Sequence, residues 1–264
     1  MSVLPRIDAF HRLAPPGPKL CKICGAVAPL AGTVDFNKSC LEFQGSFLPR
    51  RGIAIDYNRC PACGFLFTAA FDGWSKQDFL ETIYNDDYAL VDPEYRDFRP
   101  NANAKFLSNL FAEQKGELTV LDYGGGNGAL ARLLGDAGFA SGDTYDPLVA
   151  AFSTLPAKRY SLVCSFETLE HTPDPRTTIR EMSDLLADPG LIIFSTLLQP
   201  ADFESKGLSW WYAGPRNGHV SLFSRKALET VWRKQGLRFG SFDHVMHVAF
   251  RQIPPFARHL FPAQ

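Results

Sequence analysis

Four cysteines, an aspartate followed by a glycine loop, and a Glu-His pair are the residues of this chain whose types and spacing can do chemistry. Cys21-Lys22-Ile23-Cys24 and Cys60-Pro61-Ala62-Cys63 can each present two thiolates from one tight turn. Two such knuckles complete the tetrahedral sulfur shell that zinc prefers. Four sulfurs leave no coordination position for water or substrate, so the expected role of the zinc is structural, holding a module too small for a core of its own. Asp122-Tyr123-Gly124-Gly125-Gly126-Asn127-Gly128 ends an apolar run with a turn that opens a helix. Such a turn brings the backbone close to a ligand and aims free N–H groups at it, which suits a nucleotide-like cofactor. Glu170 and His171 pair an imidazole that titrates near neutrality with a carboxylate that raises its basicity or fixes its tautomer, as a general base requires.

The elements that must position these groups follow from hydrophobic period and punctuation. Residues 1–73 read as a zinc-binding module behind an irregular, proline-rich lead-in, with short apolar segments alternating with turn formers between the cysteine pairs. Residues 74–100 form an aromatic, acidic link containing Tyr84 and Tyr88. From 101 to 264 the pattern alternates: a helix over 101–113, strand 118–123, helix 128–137, strand 139–146 and strand 160–166. A helix then runs from Asp174-Pro175 to about Ala187, Pro189-Gly190 turns into strand 191–197, and Ser224 caps a helix ending at Gly236. Strand-like runs 237–243 and 245–251 close the domain. This order predicts an α/β fold with a doubly wound, Rossmann-like sheet whose ligands bind at the carboxyl ends of the strands.

Composition bounds the partners. The 264 residues carry 27 Lys and Arg against 28 Asp and Glu, a balance that gives no general pull toward nucleic acid or anionic lipid. No apolar stretch of about 18 residues occurs and residues 1–10 lack a signal-peptide core, so a cytoplasmic protein without a membrane span is expected. In that reducing compartment the cysteine pairs read as metal ligands rather than as disulfides.

Two features narrow the cofactor. Asp146 lies 22 residues beyond Gly124, at the end of the second strand, where a carboxylate accepts hydrogen bonds from a ribose diol. Dinucleotides and S-adenosylmethionine both carry that diol. The glycines of Asp122-x-Gly124-x-Gly126-x-Gly128, however, recur every two residues, whereas a pyrophosphate cradle uses G-x-G-x-x-G. A sulfonium and an amino group favour a nearby carboxylate such as Asp122. Here the chain resembles the class I S-adenosylmethionine-dependent methyltransferases. The run Phe166-Glu167-Thr168-Leu169-Glu170-His171-Thr172-Pro173-Asp174-Pro175 is similar to the segment after strand four in the ubiquinone-biosynthesis type and its sugar-methylating relatives. The resemblance implies that Asp122, Gly124, Gly126, Gly128, Asp146 and Glu167 hold the cofactor, that Tyr84 and Tyr88 lie near it, and that Glu170 and His171 form the base. The four-cysteine module followed by a Tyr-rich link is similar to bacterial sugar and natural-product methyltransferases.

Two departures qualify the resemblance. With Gln264 its last residue, the chain is expected to lack the further C-terminal domain of the sugar C-methyltransferases, and the 13 residues 147–159 contain no Asp or Glu where the family fits a helix, a third strand and an acid near the adenine. The adenine is then expected to rest on backbone and apolar contacts near 153–155. Trp210, Trp211, Tyr212 and His219 follow the fifth strand and offer flat aromatic faces to a sugar ring or planar acceptor, although paired tryptophans serve equally in a core or a homodimer interface. The resulting expectation is a zinc-containing methyltransferase acting on a small molecule, a sugar or nucleotide-linked sugar first, by O-methylation before C-methylation. An RNA methyltransferase and a non-catalytic cofactor-binding protein are the alternatives, the first disfavoured by the loosely spread Lys and Arg of the module.

Overall fold

A computed structural model describes residues 7–11 and 13–261, so residues 1–6, residue 12 and residues 262–264 lie outside the described residues. The chain contacts group into two units, one of residues 1–93, 170–176 and 197–230, the other of 94–169, 177–196 and 231–264. This grouping cuts across the consecutive blocks 1–73, 74–100 and 101–264, because segments from the last block fold with the cysteine module.

The second unit is built on six strands: β1 (Thr119–Tyr123), β2 (Ser141–Tyr145), β3 (Tyr160–Ser165), β4 (Leu186–Ser195), β5 (Arg238–Ser241) and β6 (Met246–Phe250). Their order is β5-β6-β4-β3-β1-β2; β2, β1, β3 and β4 run parallel, and β6 and β5 add antiparallel at one edge. The short stretch 147–159 contributes only a single 3-10 turn, Ala150–Phe152, so β2 is an edge strand. Helices α1 (Phe98–Leu110) and α2 (Ala129–Asp136) supply Leu107 and Leu134 to a core with Val120, Leu162, Leu191 and Val248, all fully or nearly fully buried. Each such side chain contributes about 1.5–3 kcal/mol through burial.

Element boundaries differ from the sequence expectation, most clearly at two starts. The helix predicted over 101–113 starts at Phe98, with Pro100 inside its first turn, where no N–H is needed. Strand β4 begins at Leu186, within the stretch expected to be helical, and carries Pro189-Gly190 as an irregularity of its pairing with β3; helix α3 (Pro175–Leu185) ends just before it. The final helix, α4 (Arg225–Lys234), is capped as expected by Ser224, whose Oγ accepts the Ala227 N–H at 3.0 Å.

The first unit contains a four-stranded antiparallel sheet in the order 221–222, 66–67, 54–59, 30–35. Its outer pair joins Ser221 and Leu222 to Phe67 and Leu66, which ties residues far apart in the chain to the cysteine module. The two knuckles repeat one design: Gly25 N–H donates to Cys21 O at 2.9 Å and Gly64 N–H to Cys60 O at 2.8 Å. In both, the glycine takes a positive φ, 82° and 75°.

Candidate functional site

Three constellations emerge, one in the second unit and two in the first. In the second unit β1 delivers Asp122 to the start of the glycine loop. Gly124 N–H and Gly125 N–H both donate to Tyr145 O, at 2.7 and 3.3 Å, which ties the loop to the end of β2. Asp146 accepts from Gly126 N–H at 2.9 Å through one oxygen and from Leu148 N–H at 2.8 Å through the other. Each oxygen keeps a second lone pair, so a residue that shapes the loop retains capacity for a diol.

The loop leaves no room for side chains. A Cβ on Gly125 would stand 2.1 Å from Asp122 Oδ2, and one on Gly124, at φ 78°, would stand 2.4 Å from Thr168 Oγ1. The carboxylate of Asp122 therefore lies against bare backbone. Asp122 is 3% exposed, and its Oδ2 has no hydrogen-bond partner among the described residues. Burial, with repulsion from Asp146 second, raises its carboxyl from 3.8 to about 7. A buried carboxylate oxygen beside a glycine cradle fits the cationic amino end of S-adenosylmethionine.

The raised value has a consequence for stability. Between about pH 4 and 7 Asp122 in the folded protein retains a proton that the unfolded chain releases, so this group's contribution to stability without cofactor is fullest below this window and is lost as pH rises through it. The expected loss is on the order of 4 kcal/mol, and Asp122→Asn should flatten it. Chemical denaturation at pH 4.5 and 8 measures this; equal slopes in wild type and variant would contradict it.

Beyond β3, Glu167 adopts φ 49°, among the described residues the one non-glycine position in the left-handed region. Ser195 Oγ holds it there, accepting the Glu167 N–H at 2.8 Å and donating to Oε1 at 2.9 Å. Strain of this kind costs on the order of 1–3 kcal/mol and persists where surrounding structure enforces it, commonly at functional sites. Thr168, which packs on Gly124, and Phe152, whose ring would meet a Cβ on Gly128 at 2.9 Å, belong to the same constellation. Neither carries a local sequence signal, since a threonine and a phenylalanine are ordinary residues outside this contact.

In the first unit the four cysteine sulfurs lie within 4.8 Å of one another, with Cys21 to Cys63 at 3.6 Å and Cys24 to Cys60 at 3.4 Å. Zinc bonds of 2.3 Å to a tetrahedral sulfur set require edges of about 3.8 Å, so the donor set and its spacing fit zinc. The contact between Cys21 and Cys63 lowers the first thiol and raises the second. Lys22, inside the first knuckle, donates to Thr68 O at 3.1 Å, Asp72 Oδ1 at 2.5 Å and Pro173 O at 2.9 Å. Burial depresses its ammonium, against the attraction of Asp72.

The third constellation surrounds Glu170 and His171. Glu170 is fully buried; Tyr212 OH donates to its Oε1, and Val220 N–H donates to its backbone oxygen at 2.8 Å. The His171 ring lies 4.9 Å from that of His219 and 6.0 Å from that of Tyr84, which in turn packs at 5.1 Å on Tyr88. His219 Nδ1 is 2.8 Å from Tyr212 O, and Cys40 Sγ is 3.5 Å from the same nitrogen. The structure thus groups Tyr84, Tyr88, Glu170, His171, Tyr212 and His219. Trp210 packs in the core against Phe203, whereas Trp211 sits 5.0 Å from the exposed Phe43. Cys40, Tyr57 and Gly218 join this group without any spacing in the sequence that marks them.

A parallel sheet with an antiparallel hairpin and a glycine loop after its first strand defines the Rossmann-like methyltransferase class. A methyltransferase-domain family model matches residues 95–239, more than half of the chain. The protein belongs to that family and is a class I S-adenosylmethionine-dependent methyltransferase. No curated protein matches the chain. Among solved structures it is similar to magnesium protoporphyrin IX methyltransferase from Synechocystis PCC 6803 with bound S-adenosylhomocysteine, at 15% identity over 58% of this chain and 82% of that one, TM-score 0.42. An amino pentose methyltransferase of calicheamicin biosynthesis from Micromonospora echinaspora, bound to S-adenosylmethionine, aligns at 14% identity over 65% of this chain and 99% of that one, TM-score 0.45. An O-methyltransferase family protein from Burkholderia thailandensis aligns at 15% identity over 68% and 69%, TM-score 0.43. Among the described residues no helix is long and apolar enough to cross a membrane.

Proposed function

We propose that the protein is a zinc-containing methyltransferase that methylates a hydroxyl of a sugar or nucleotide-linked sugar. S-adenosylmethionine supplies a methyl group already activated on a sulfonium, so the protein's task is to position the acceptor and take its proton. The buried Asp122 oxygen beside bare glycine backbone is the observation that carries the donor assignment. Asp122 receives the donor's amino group, the N–H groups of the loop and Asp146 its ribose, and Phe152 with its neighbours flanks the adenine in place of an acidic residue. Glu167 completes this set from its strained position, and the four cysteines hold a structural zinc.

For the acceptor, the support comes from Glu170 and His171, which lie three and four residues beyond Glu167 in the chain. In this reading they promote loss of the acceptor's proton, Glu170 from a position set by Tyr212 and His171 within a cluster that includes His219. Tyr84, Tyr88 and Trp211 offer ring faces to the acceptor, as flat sugar faces prefer. A hydroxyl is the acceptor atom that such a proton-accepting cluster serves most directly, and this favours O-methylation.

Transfer of labelled methyl from S-adenosylmethionine to a panel of nucleotide sugars tests the reading. His171→Asn is expected to lower turnover by about 10²–10⁴-fold with donor affinity unchanged. Label on RNA instead of sugars, or transfer untouched by His171→Asn, would overturn the acceptor assignment.

A further inference from the structure

Glu170, His171 and His219 each offer one ligand atom, and these three atoms lie within 4.8 Å of one another. We propose that they hold a divalent transition-metal cation, of the class of Mn²⁺, Fe²⁺ or Zn²⁺, whose remaining positions take oxygen atoms of the acceptor. The proposal rests on the assignment of Glu170 and His171 to the acceptor and changes how they act: the imidazole of His171 is a ligand instead of a free base, the cation acidifies the acceptor's hydroxyl so that its proton leaves to solvent water, and the oxygen then takes the methyl group as the S–CH3 bond of the donor breaks to leave S-adenosylhomocysteine.

Donor chemistry is the first support. Two imidazoles and one carboxylate suit first-row divalent cations and, unlike the four thiolates elsewhere in this unit, leave coordination positions open. Orientation is the second. A carbonyl only accepts hydrogen bonds, so the 2.8 Å contact of His219 Nδ1 with Tyr212 O puts the proton on Nδ1 and the lone pair on Nε2. Ligating histidines are held in this way in metal sites, through the second ring nitrogen. Tyr212 also donates its hydroxyl to Glu170 Oε1, so one residue orients two of the three donors, one by its backbone and one by its side chain.

The backbone that carries the donors is fixed as well. Val220 N–H donates to Glu170 O at 2.8 Å, and Tyr57 OH donates to His219 O at 2.6 Å. Between Asn217 and His219, Gly218 keeps a close approach open: a Cβ there would stand 2.6 Å from Tyr84 Oη and 3.2 Å from His171 Nδ1. Cys40 Sγ faces Nδ1, the protonated side of His219, and so borders the ring without being one of the three donors. Glu170 is 0% and His219 6% exposed, an environment in which a carboxylate gains from a neighbouring cation.

Metal content of the full-length protein from cobalt-supplemented cells, read together with its visible spectrum, tests this. Wild type should hold two cobalt equivalents, one of them with thiolate-to-cobalt charge-transfer absorption. Glu170→Gln, nearly isosteric, and His219→Ala should each drop to one equivalent with the thiolate absorption unchanged, so either folded variant decides the matter. Tyr212→Phe should weaken the second equivalent by about 10–100-fold. A single, thiolate-bound equivalent in wild type would overturn the cation. If such a protein still methylates sugars with a His171-dependent pH profile, the base assignment survives that failure; two equivalents with no methylated sugar would retain the cation and remove the acceptor class.

Discussion

Cys24→Ser is expected to abolish stoichiometric zinc and to collapse the cysteine module along with methyl transfer. Zinc bound by thiolates is worth about 10–16 kcal/mol of apparent binding free energy in small domains, a sum that becomes folding free energy where no site exists in the unfolded chain. Here the metal would fix both knuckles, and the first of them carries Lys22, whose ammonium holds Thr68 O, Asp72 and Pro173 O together. Pro173 lies three residues after Glu170 and two after His171, so loss of the knuckle frees the backbone that bears the proposed acceptor groups. Limited proteolysis with metal analysis checks this. Wild-type zinc content, or loss of zinc with an unchanged cleavage pattern, would contradict it.

Gly125→Val is expected to weaken S-adenosylhomocysteine by more than about 100-fold, equivalent to about 2.7 kcal/mol. The added side chain begins 2.1 Å from Asp122 Oδ2 and 2.9 Å from Thr144 Cγ2, so the carboxylate must leave the place where the donor's amino group is received. Gly135 in α2 supplies the control, because a Cβ there meets nothing within 4 Å. Gly135→Ala should leave affinity unchanged and stabilise the helix by about 0.5–1 kcal/mol. Calorimetric titration of both variants checks the contrast, and equal affinities would remove the loop from the donor site.

The contrast between these two glycines shows what a sequence can reveal about a site. Strand β1, the loop and α2 were legible because period, glycine and strand end coincide within 20 residues. The cysteine knuckles were legible for the same reason, each being complete in four residues. Thr168 against Gly124, Phe152 against Gly128 and Tyr57 on His219 were not, since each is a contact between segments far apart in the chain and made by residue types that are common everywhere. The pairing of Ser221 with Phe67 and of Leu222 with Leu66 is the same problem at the scale of the fold: two-residue strands have too little period to announce a partner so far away in the chain. Leu186 and Ala187 went to β4 rather than to the helix because pairing with Tyr160 on the neighbouring β3 outweighed a helical pattern that Pro189 already limited. Segment 147–159 is different again, since its shortness alone foretold the missing strand.

Methyl transfer depends first on the binding of S-adenosylmethionine by the glycine-loop unit. Thermal unfolding in S-adenosylhomocysteine or NAD, each at about 100 times a micromolar Kd, tests it most directly, since specific binding adds about 2.7 kcal/mol. A rise of several degrees in S-adenosylhomocysteine that Gly125→Val abolishes, with none in NAD, is the predicted result. A rise in NAD, or no rise in S-adenosylhomocysteine, would contradict donor binding at the glycine loop.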